Sequence, residues 1–141
     1  MAIQLETLPL RHVLTVPAMG SAVRIARETT EDVLMEWGIP RRHASVDAAL
    51  LILSELVTNS VRHAASVSPN VTVIYAAGRD TFAFAVHDRH PHQPSLHAAV
   101  SSTAGSGLAT VVELALSLGG TGVVRGDADG GGKSIWITLP L

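Results

Sequence analysis

The chain has 141 residues, of which 47% are hydrophobic and 16% are charged, and this composition predicts one folded domain over residues 1–141 and excludes intrinsic disorder. It contains no cysteine, which excludes a disulfide framework and a thiolate zinc site, and its N-terminal segment lacks the pattern of a secretory signal, so we expect a cytosolic (cytoplasmic) protein. The net charge is −2 and the basic residues are scattered, which predicts no direct contact with nucleic acid. No apolar run approaches the roughly 20 residues of a membrane span, which predicts no contact with a membrane.

The first half of the chain predicts one strand followed by two helices. The stretch RHVLTVPA, from Arg11 to Ala18, predicts the strand. Apolar residues recur at mostly helical spacings from Ser21 to Trp37, and Gly38 then ends the first helix. Ser45 is the predicted N-cap of the second helix, which runs to about Ala65.

The second half of the chain predicts two pairs of strands separated by a long loop and a helix. In chain order these are the strands NVTVIYAA and TFAFAVHD joined by GRD, a loop over residues 89–106, a helix over Gly107–Leu118, and the strands GGTGVVRGD and KSIWITLPL joined by GDADGGG. This order predicts an α+β fold, a two-layer α/β sandwich with helices on one face of a mixed, largely antiparallel sheet.

The stretch LILSELVTNSVRHA of the second helix carries polar side chains in an otherwise apolar segment. Glu55 and Asn59 are four residues apart and therefore lie on adjacent turns of one helix wall. At ~100° per residue, the apolar stripe Val46, Leu50, Leu53, Val57, Val61 and Ala64 lies roughly opposite Glu55, Asn59 and Arg62, which share their side with Ala48, Leu51 and Ile52. Such a mixed side indicates the partly covered wall of a pocket; the alternative is an ordinary amphipathic helix whose outer face includes some aliphatic residues.

The strand TFAFAVHD ends in an acidic residue on its apolar face. Asp88 shares that face with Phe82, Phe84 and Val86 by the period of two, so it is placed to meet a group inserted between the sheet and the helices. The alternative is an aspartate that ends the strand and begins a turn.

The segment GSGLATVVELA begins a helix with two glycines. Gly105 and Gly107 allow backbone N–H groups to approach a phosphate, which the positive end of the helix dipole also favours. Glycines at a helix start often serve only the turn, so this motif is weak by itself.

In this order, the motifs resemble the GHKL (Bergerat-fold) ATP-binding superfamily, and in particular its short anti-sigma-factor serine/threonine kinases, which carry a histidine kinase-like ATPase domain. The helix segment ELVTNSVRHA is similar to the N box of that family, and GGGKSIWITLPL resembles its closing strand. The positions that match family motifs are Glu55, Asn59, Asp88, Gly105 and Gly107. The resemblance spans about Leu14 to Leu141.

The resemblance implies a site for ATP and Mg²⁺. Asn59 would coordinate the Mg²⁺ that bridges the phosphates, Glu55 would position or deprotonate the attacking oxygen as the catalytic residue, and Asp88 would accept a hydrogen bond from the adenine amino group. The nucleotide-binding loop that would fold over the phosphates comprises Gly105, Ser106, Gly107 and Leu108.

The sequence departs from the family pattern in two places. The family commonly has Asp-x-Gly-x-Gly after the adenine-binding strand, whereas Asp88 is followed by RHPHQP and both glycines are missing. The family often has a threonine before the final strand, and the alternation of that strand places Lys133 there. These departures predict weaker or differently arranged adenine recognition.

The loop after Asp88 offers an alternative metal site. His87, His90, His92 and His97 have spacings that suit a metal ion, and three of them with Asp88 would bind zinc or nickel. Loop histidines without cysteine or a second acid nearby are more often ordinary loop residues.

The sequence therefore predicts an ATP-binding protein kinase of the anti-sigma-factor type, which transfers the γ-phosphate to a Ser or Thr of a small antagonist protein. Its expected partners are that antagonist, a sigma factor or both, and a homodimer is compatible with this assignment. The alternative is a non-catalytic module on the same fold that binds a sigma factor or another regulator and has weakened or lost nucleotide binding. The intact Glu55 and Asn59 favour the kinase, and the altered loop after Asp88 favours the module.

Overall fold

A computed structural model of the protein describes residues 7–64, 66–91 and 107–141. Within these residues the chain forms five strands and three helices. In chain order they are β1 (Leu10–Pro17), α1 (Ser21–Glu36), α2 (Ala44–Ala64), β2 (Asn70–Ala77), β3 (Thr81–Asp88), α3 (Gly107–Ser117), β4 (Thr121–Gly126) and β5 (Lys133–Pro140). Every helix and strand predicted from the sequence is present, within two residues of its expected bounds.

The five described strands form one sheet in the order β1-β2-β3-β5-β4, and every neighbouring pair is antiparallel. β5 lies between β3 and β4, so that Asp88, the last residue of β3, is paired with Lys133, the first residue of β5. α1 and α2 pack together and against the sheet, and α3 packs against α2, β4 and β5. The predicted α+β two-layer sandwich is therefore confirmed.

The core lies between α2 and the inner face of the sheet. The alternation of side chains in β3 and β5 directs one set towards the helices, as the sequence predicts. The buried residues at this contact are Phe82, Phe84 and Val86 of β3, Ile135, Ile137 and Leu139 of β5, and Leu50, Leu53 and Val57 of α2. Each such side chain contributes about 1.5–3 kcal/mol on burial, so apolar packing holds the central β3–β5 pair against α2.

α2 is buried over a wider arc than a one-sided amphipathic helix. Ala48 and Ile52, which the helical pattern places on the polar side, are buried, whereas Leu51 is 46% exposed. By length and composition α2 could cross a membrane, but 56% of its apolar 18-residue window is buried inside the domain, as in a core helix. The polar side of α2 is therefore partly covered, as predicted.

The N-terminus of α2 differs from the prediction that Ser45 is its cap. The helix begins at Ala44, and the Ser45 hydroxyl donates to the backbone oxygen of Pro140 at the end of β5, at 2.6 Å. The backbone N–H of Ser45 donates to Nδ1 of His43 at 3.1 Å, so an imidazole satisfies one of the first N–H groups of the helix. Ser45 thus links α2 to the last strand.

A buried hydrogen bond joins α1 to the sheet. The hydroxyl oxygens of Thr30 and Tyr75 are 2.8 Å apart, and Thr30 donates to the backbone oxygen of Ala26 at 2.7 Å. Burial raises the pKa of Tyr75 to about 12, although its hydrogen bond with Thr30 acts in the opposite direction. The phenol therefore stays neutral and serves as a hydrogen-bonding group between α1 and β2.

Candidate functional site

Glu55 and Asn59 lie on consecutive turns of α2, and both side chains are half-buried. The hydroxyls of Ser54 and Thr58 donate to carbonyl oxygens of the preceding turn, both at 2.7 Å. Among the described residues, the side chains of Glu55 and Asn59 have no hydrogen-bond or ion-pair partner. This wall of α2 therefore carries a carboxylate and an amide that the described part of the chain leaves without polar contacts.

Ser60 connects the same part of α2 to Asp88. Its hydroxyl donates to Oδ2 of Asp88 at 2.7 Å, and both residues are buried. Because Ser60 directly follows Asn59, this bond places the end of β3 beside the turn of α2 that carries Asn59. Asp88 thus lies on the core face at the strand end, as predicted. Ser60 is absent from the predicted site; the signal that identifies it is a hydroxyl among the apolar residues Val57 and Val61.

Asp88 also forms an ion pair with Lys133. Nζ of Lys133 is 2.7 Å from Oδ1 of Asp88, and the two side chains are 11% and 3% exposed. The strand register produces this contact, since the two residues are directly opposite and share one face of the sheet. The backbone N–H of His90 donates to the same Oδ1 at 3.0 Å, and the backbone oxygen of His90 lies 3.4 Å from Nζ of Lys133. The departure at Lys133 therefore places a cation on the carboxylate predicted to bind adenine.

A second charged cluster joins the end of β3 to the turn between β4 and β5. Nε2 of His87 is 2.9 Å from Oδ2 of Asp127, and Arg89 pairs with Asp127 at 2.5 Å and with Asp129 at 2.9 Å. The hydrogen bond with His87 lowers the pKa of Asp127, and the one from Arg89 lowers the pKa of Asp129. Because both pKa values are lowered, these carboxylates favour the folded state at neutral pH, and their contribution is lost only as the pH falls through the lowered values.

The alternative metal site has no counterpart among the described residues. Within residues 7–64, 66–91 and 107–141, no three His, Asp or Glu side chains are grouped so as to hold a metal ion. His87 instead contacts Asp127. His92 and His97 lie outside the described residues, so their part of that hypothesis stays a prediction.

Gly132 allows the start of β5 to approach the end of β3 closely. A Cβ atom at this position would lie 2.6 Å from the backbone oxygen of Asp88 and 3.0 Å from Cα of Arg89. The atoms it would meet include backbone at the end of a paired strand, which cannot turn aside as a flexible side chain can.

We therefore expect Gly132→Ala to destabilise the domain by about 1–3 kcal/mol, since overpacking at a fixed backbone costs this much. Thermal unfolding followed by circular dichroism should show a melting temperature several degrees below that of the wild type. The matched control is Gly20→Ala, because a Cβ atom there meets no atom within 4 Å. If Gly132→Ala is as stable as this control, the backbone at the end of β3 can shift to accept a Cβ atom without loss of stability.

The predicted nucleotide-binding loop lies partly outside the described residues, which do not include Gly105 and Ser106. Gly107 is the first residue of α3, and Leu108 is half-buried and packs against the core. α3, whose first turn is predicted to bind phosphates, packs against α2, the helix that carries Glu55 and Asn59. The phosphate-binding role of these four residues stays a prediction.

A cavity of about 510 Å³ lies between the end of α1 and the start of α2. Its lining includes the apolar residues Leu34, Ile39 and Val46 and the charged residues Glu31 and Arg41. The polar residues of the predicted site are not among its described lining residues, so this cavity is separate from them.

Comparisons with known proteins agree with this fold. A family model described as "Histidine kinase-like ATPase domain" matches residues 16–138 of the chain. Among solved structures, the RsbU and RsbW domains of Rv1364c from Mycobacterium tuberculosis have a similar fold, with 22% sequence identity and a TM-score of 0.63. The match covers 94% of this chain and 33% of that one, so the chain spans about a third of the length of that structure. A search of curated proteins finds no significant match.

Proposed function

The chain belongs to the histidine kinase-like ATPase domain family, and on that premise we propose that it is a cytosolic, ATP-binding regulator of the anti-sigma-factor type. It binds ATP with Mg²⁺ against α2 and transfers the γ-phosphate to a Ser or Thr of a small antagonist protein. The observation that carries the proposal is the Ser60–Asp88 hydrogen bond, because it brings the strand-ending aspartate next to the helix that carries Glu55 and Asn59.

Asn59 is the proposed ligand of Mg²⁺. Its amide oxygen is the hard donor that this ion prefers, and its half-buried side chain has no partner among the described residues. Mg²⁺ usually keeps several waters and takes few protein ligands together with substrate phosphates, so one amide on a helix wall fits it. When bound, the ion would neutralise charge on the phosphates.

Glu55 is the proposed catalytic residue. It lies one turn before Asn59, about 6 Å away along the helix axis, where its carboxylate would orient the attacking hydroxyl or take its proton. Phosphoryl transfer depends mainly on positioning and charge neutralisation, so few reactive groups are needed. Asp88 would meet the base, and Ser60 would fix the orientation of its carboxylate.

A second candidate function is a non-catalytic module that sequesters a sigma factor or another regulator. The Asp88–Lys133 ion pair favours it, because this pair occupies the carboxylate that adenine would use. The two glycines missing after Asp88 favour it as well. Such a module would bind its partner, alone or as a homodimer, with little or no affinity for nucleotide.

Isothermal titration calorimetry of the wild-type chain with ATP and ADP separates the two functions. We expect saturable binding of ATP that weakens when Mg²⁺ is removed with a chelator, together with a melting temperature that rises with ATP concentration. If saturating Mg²⁺ and ATP give no heat of binding and no thermal stabilisation, the kinase is contradicted and the binding module remains.

A further inference from the structure

The Asp88 carboxylate is already held by three groups of the described chain. Ser60 donates to Oδ2, and both Lys133 and the backbone N–H of His90 donate to Oδ1. A carboxylate offers about four acceptor positions, so roughly one remains for a ligand. A base that binds at Asp88 would therefore contact a carboxylate whose Oδ1 is already paired with the Lys133 ammonium.

Lys133 adds a donor to this place. Its ammonium has three N–H groups; one is directed to Asp88 at 2.7 Å and another to the backbone oxygen of His90 at 3.4 Å. The third has no acceptor among the described residues. The ion pair thus presents one donor and one acceptor side by side.

A purine base will not displace this lysine from Asp88. Removing one member of a buried ion pair leaves the other charge unpaired, and the free-energy cost of that charge exceeds what a hydrogen bond from a neutral amino group would contribute. Both side chains are almost fully buried, so the base must bind to the pair as it stands.

A donor beside the carboxylate would change which purines such a site accepts. Adenine carries an amino donor at position 6, whereas guanine and hypoxanthine carry an acceptor oxygen there. A carboxylate alone would accept the amino group and repel the oxygen, which would be left unpaired in a buried site. With the Lys133 ammonium on the same carboxylate, a 6-oxo group finds a donor, and its neighbouring N1–H finds the remaining acceptor position of Asp88.

We propose that Lys133 is a specificity-determining residue that makes the base site accept 6-oxo purine nucleotides as well as 6-amino ones. This inference rests on the proposed function, in which Asp88 meets the base. The lysine acts by supplying a hydrogen bond to a purine oxygen at position 6.

The test compares ATP with ITP, whose base differs from adenine at position 6 and its neighbour N1. Calorimetric titrations in Mg²⁺ are made on the wild type, on Lys133→Met, which keeps the length of the side chain without its charge, and on the control Arg79→Met in the exposed β2–β3 turn. We expect the wild-type Kd for ITP to lie within about tenfold of that for ATP. In Lys133→Met the ratio of the two Kd values should rise by about tenfold or more through loss of ITP binding, and Arg79→Met should match the wild type.

Two results would overturn the inference while leaving the proposed function in place. In the first, the wild type binds ATP, but its Kd for ITP is higher by about a hundredfold or more. In the second, Lys133→Met is folded and its ratio of the two Kd values equals that of the wild type. Binding of neither nucleotide would instead refute the proposed function, and the inference with it.

A second readout does not depend on a variant. Lys133 is the only lysine of the chain, so lysine labelled with ¹⁵N at Nζ gives one side-chain ammonium signal in NMR spectra. We expect saturating ITP with Mg²⁺ to shift this signal more than ATP does. An Nζ signal that does not move with bound ITP would overturn the inference.

Discussion

Asn59→Ala is expected to weaken Mg²⁺-dependent ATP binding by about a hundredfold or more, the loss that corresponds to roughly 3 kcal/mol for a contact to a charged group. The substitution removes the amide oxygen proposed to hold the ion, which would link the phosphates to α2. The fold should stay intact, because the Asn59 side chain is half-buried and has no hydrogen-bond partner among the described residues. Calorimetry measures the affinity, and thermal unfolding should show a melting temperature within a few degrees of the wild type.

The matched control for this experiment is Asn70→Ala, an exposed asparagine at the start of β2. It removes the same chemical group from a part of the chain outside the proposed site, so ATP affinity should not change. If Asn59→Ala and Asn70→Ala bind ATP with equal affinity in Mg²⁺, the assignment of α2 as the phosphate-facing helix is wrong.

Glu55→Gln is expected to bind ATP nearly as the wild type does and to lose phosphoryl transfer. If the carboxylate acts on the attacking oxygen, the neutral amide keeps its shape but not its basicity, so the loss falls on the chemical step. With water as the acceptor, the rate of ADP formation from ATP should fall by about a hundredfold or more, while Kd changes by less than about threefold. Single-turnover hydrolysis of γ-labelled ATP separates binding from chemistry.

Glu36→Gln, at the exposed end of α1, is the matched control and should hydrolyse ATP at the wild-type rate. Equal rates in Glu55→Gln and the wild type would remove Glu55 from the catalytic role. A wild-type chain that binds ATP and never turns it over would favour the sequestering module.

The elements of this fold were predictable because their signals are local. Phe82, Phe84 and Val86 alternate within one strand, and the turn sequences GRD and GDADGGG mark where strands reverse. The register of β3 with β5 is not local, since it depends on which side chains of two distant strands pack against α2. The sequence therefore placed Lys133 at the position of a family threonine without predicting its ion pair with Asp88.

The candidate site was predictable to a different extent. The spacing of Glu55 and Asn59 identifies a polar wall, because an i,i+4 pair shares one side of a helix wherever that helix packs. Ser60 could not be assigned in the same way, because its role depends on the carboxylate that lies opposite it. Ser45 illustrates the same limit: its residue type favours a helix cap, but the nearby backbone oxygen of Pro140 takes its hydrogen bond.

The two contacts that complete the site are distant along the chain. Ser60 and Asp88 are 28 residues apart, and Asp88 and Lys133 are 45 residues apart. Each contact closes a long loop, and the entropic cost of that closure is offset only when β3, β5 and α2 pack together. A short fragment can contain the Glu55–Asn59 pair of α2, but it contains neither of these two contacts. A nucleotide at the proposed site would bind only molecules in which the central strands are assembled, so it would raise the free energy of unfolding of the whole domain.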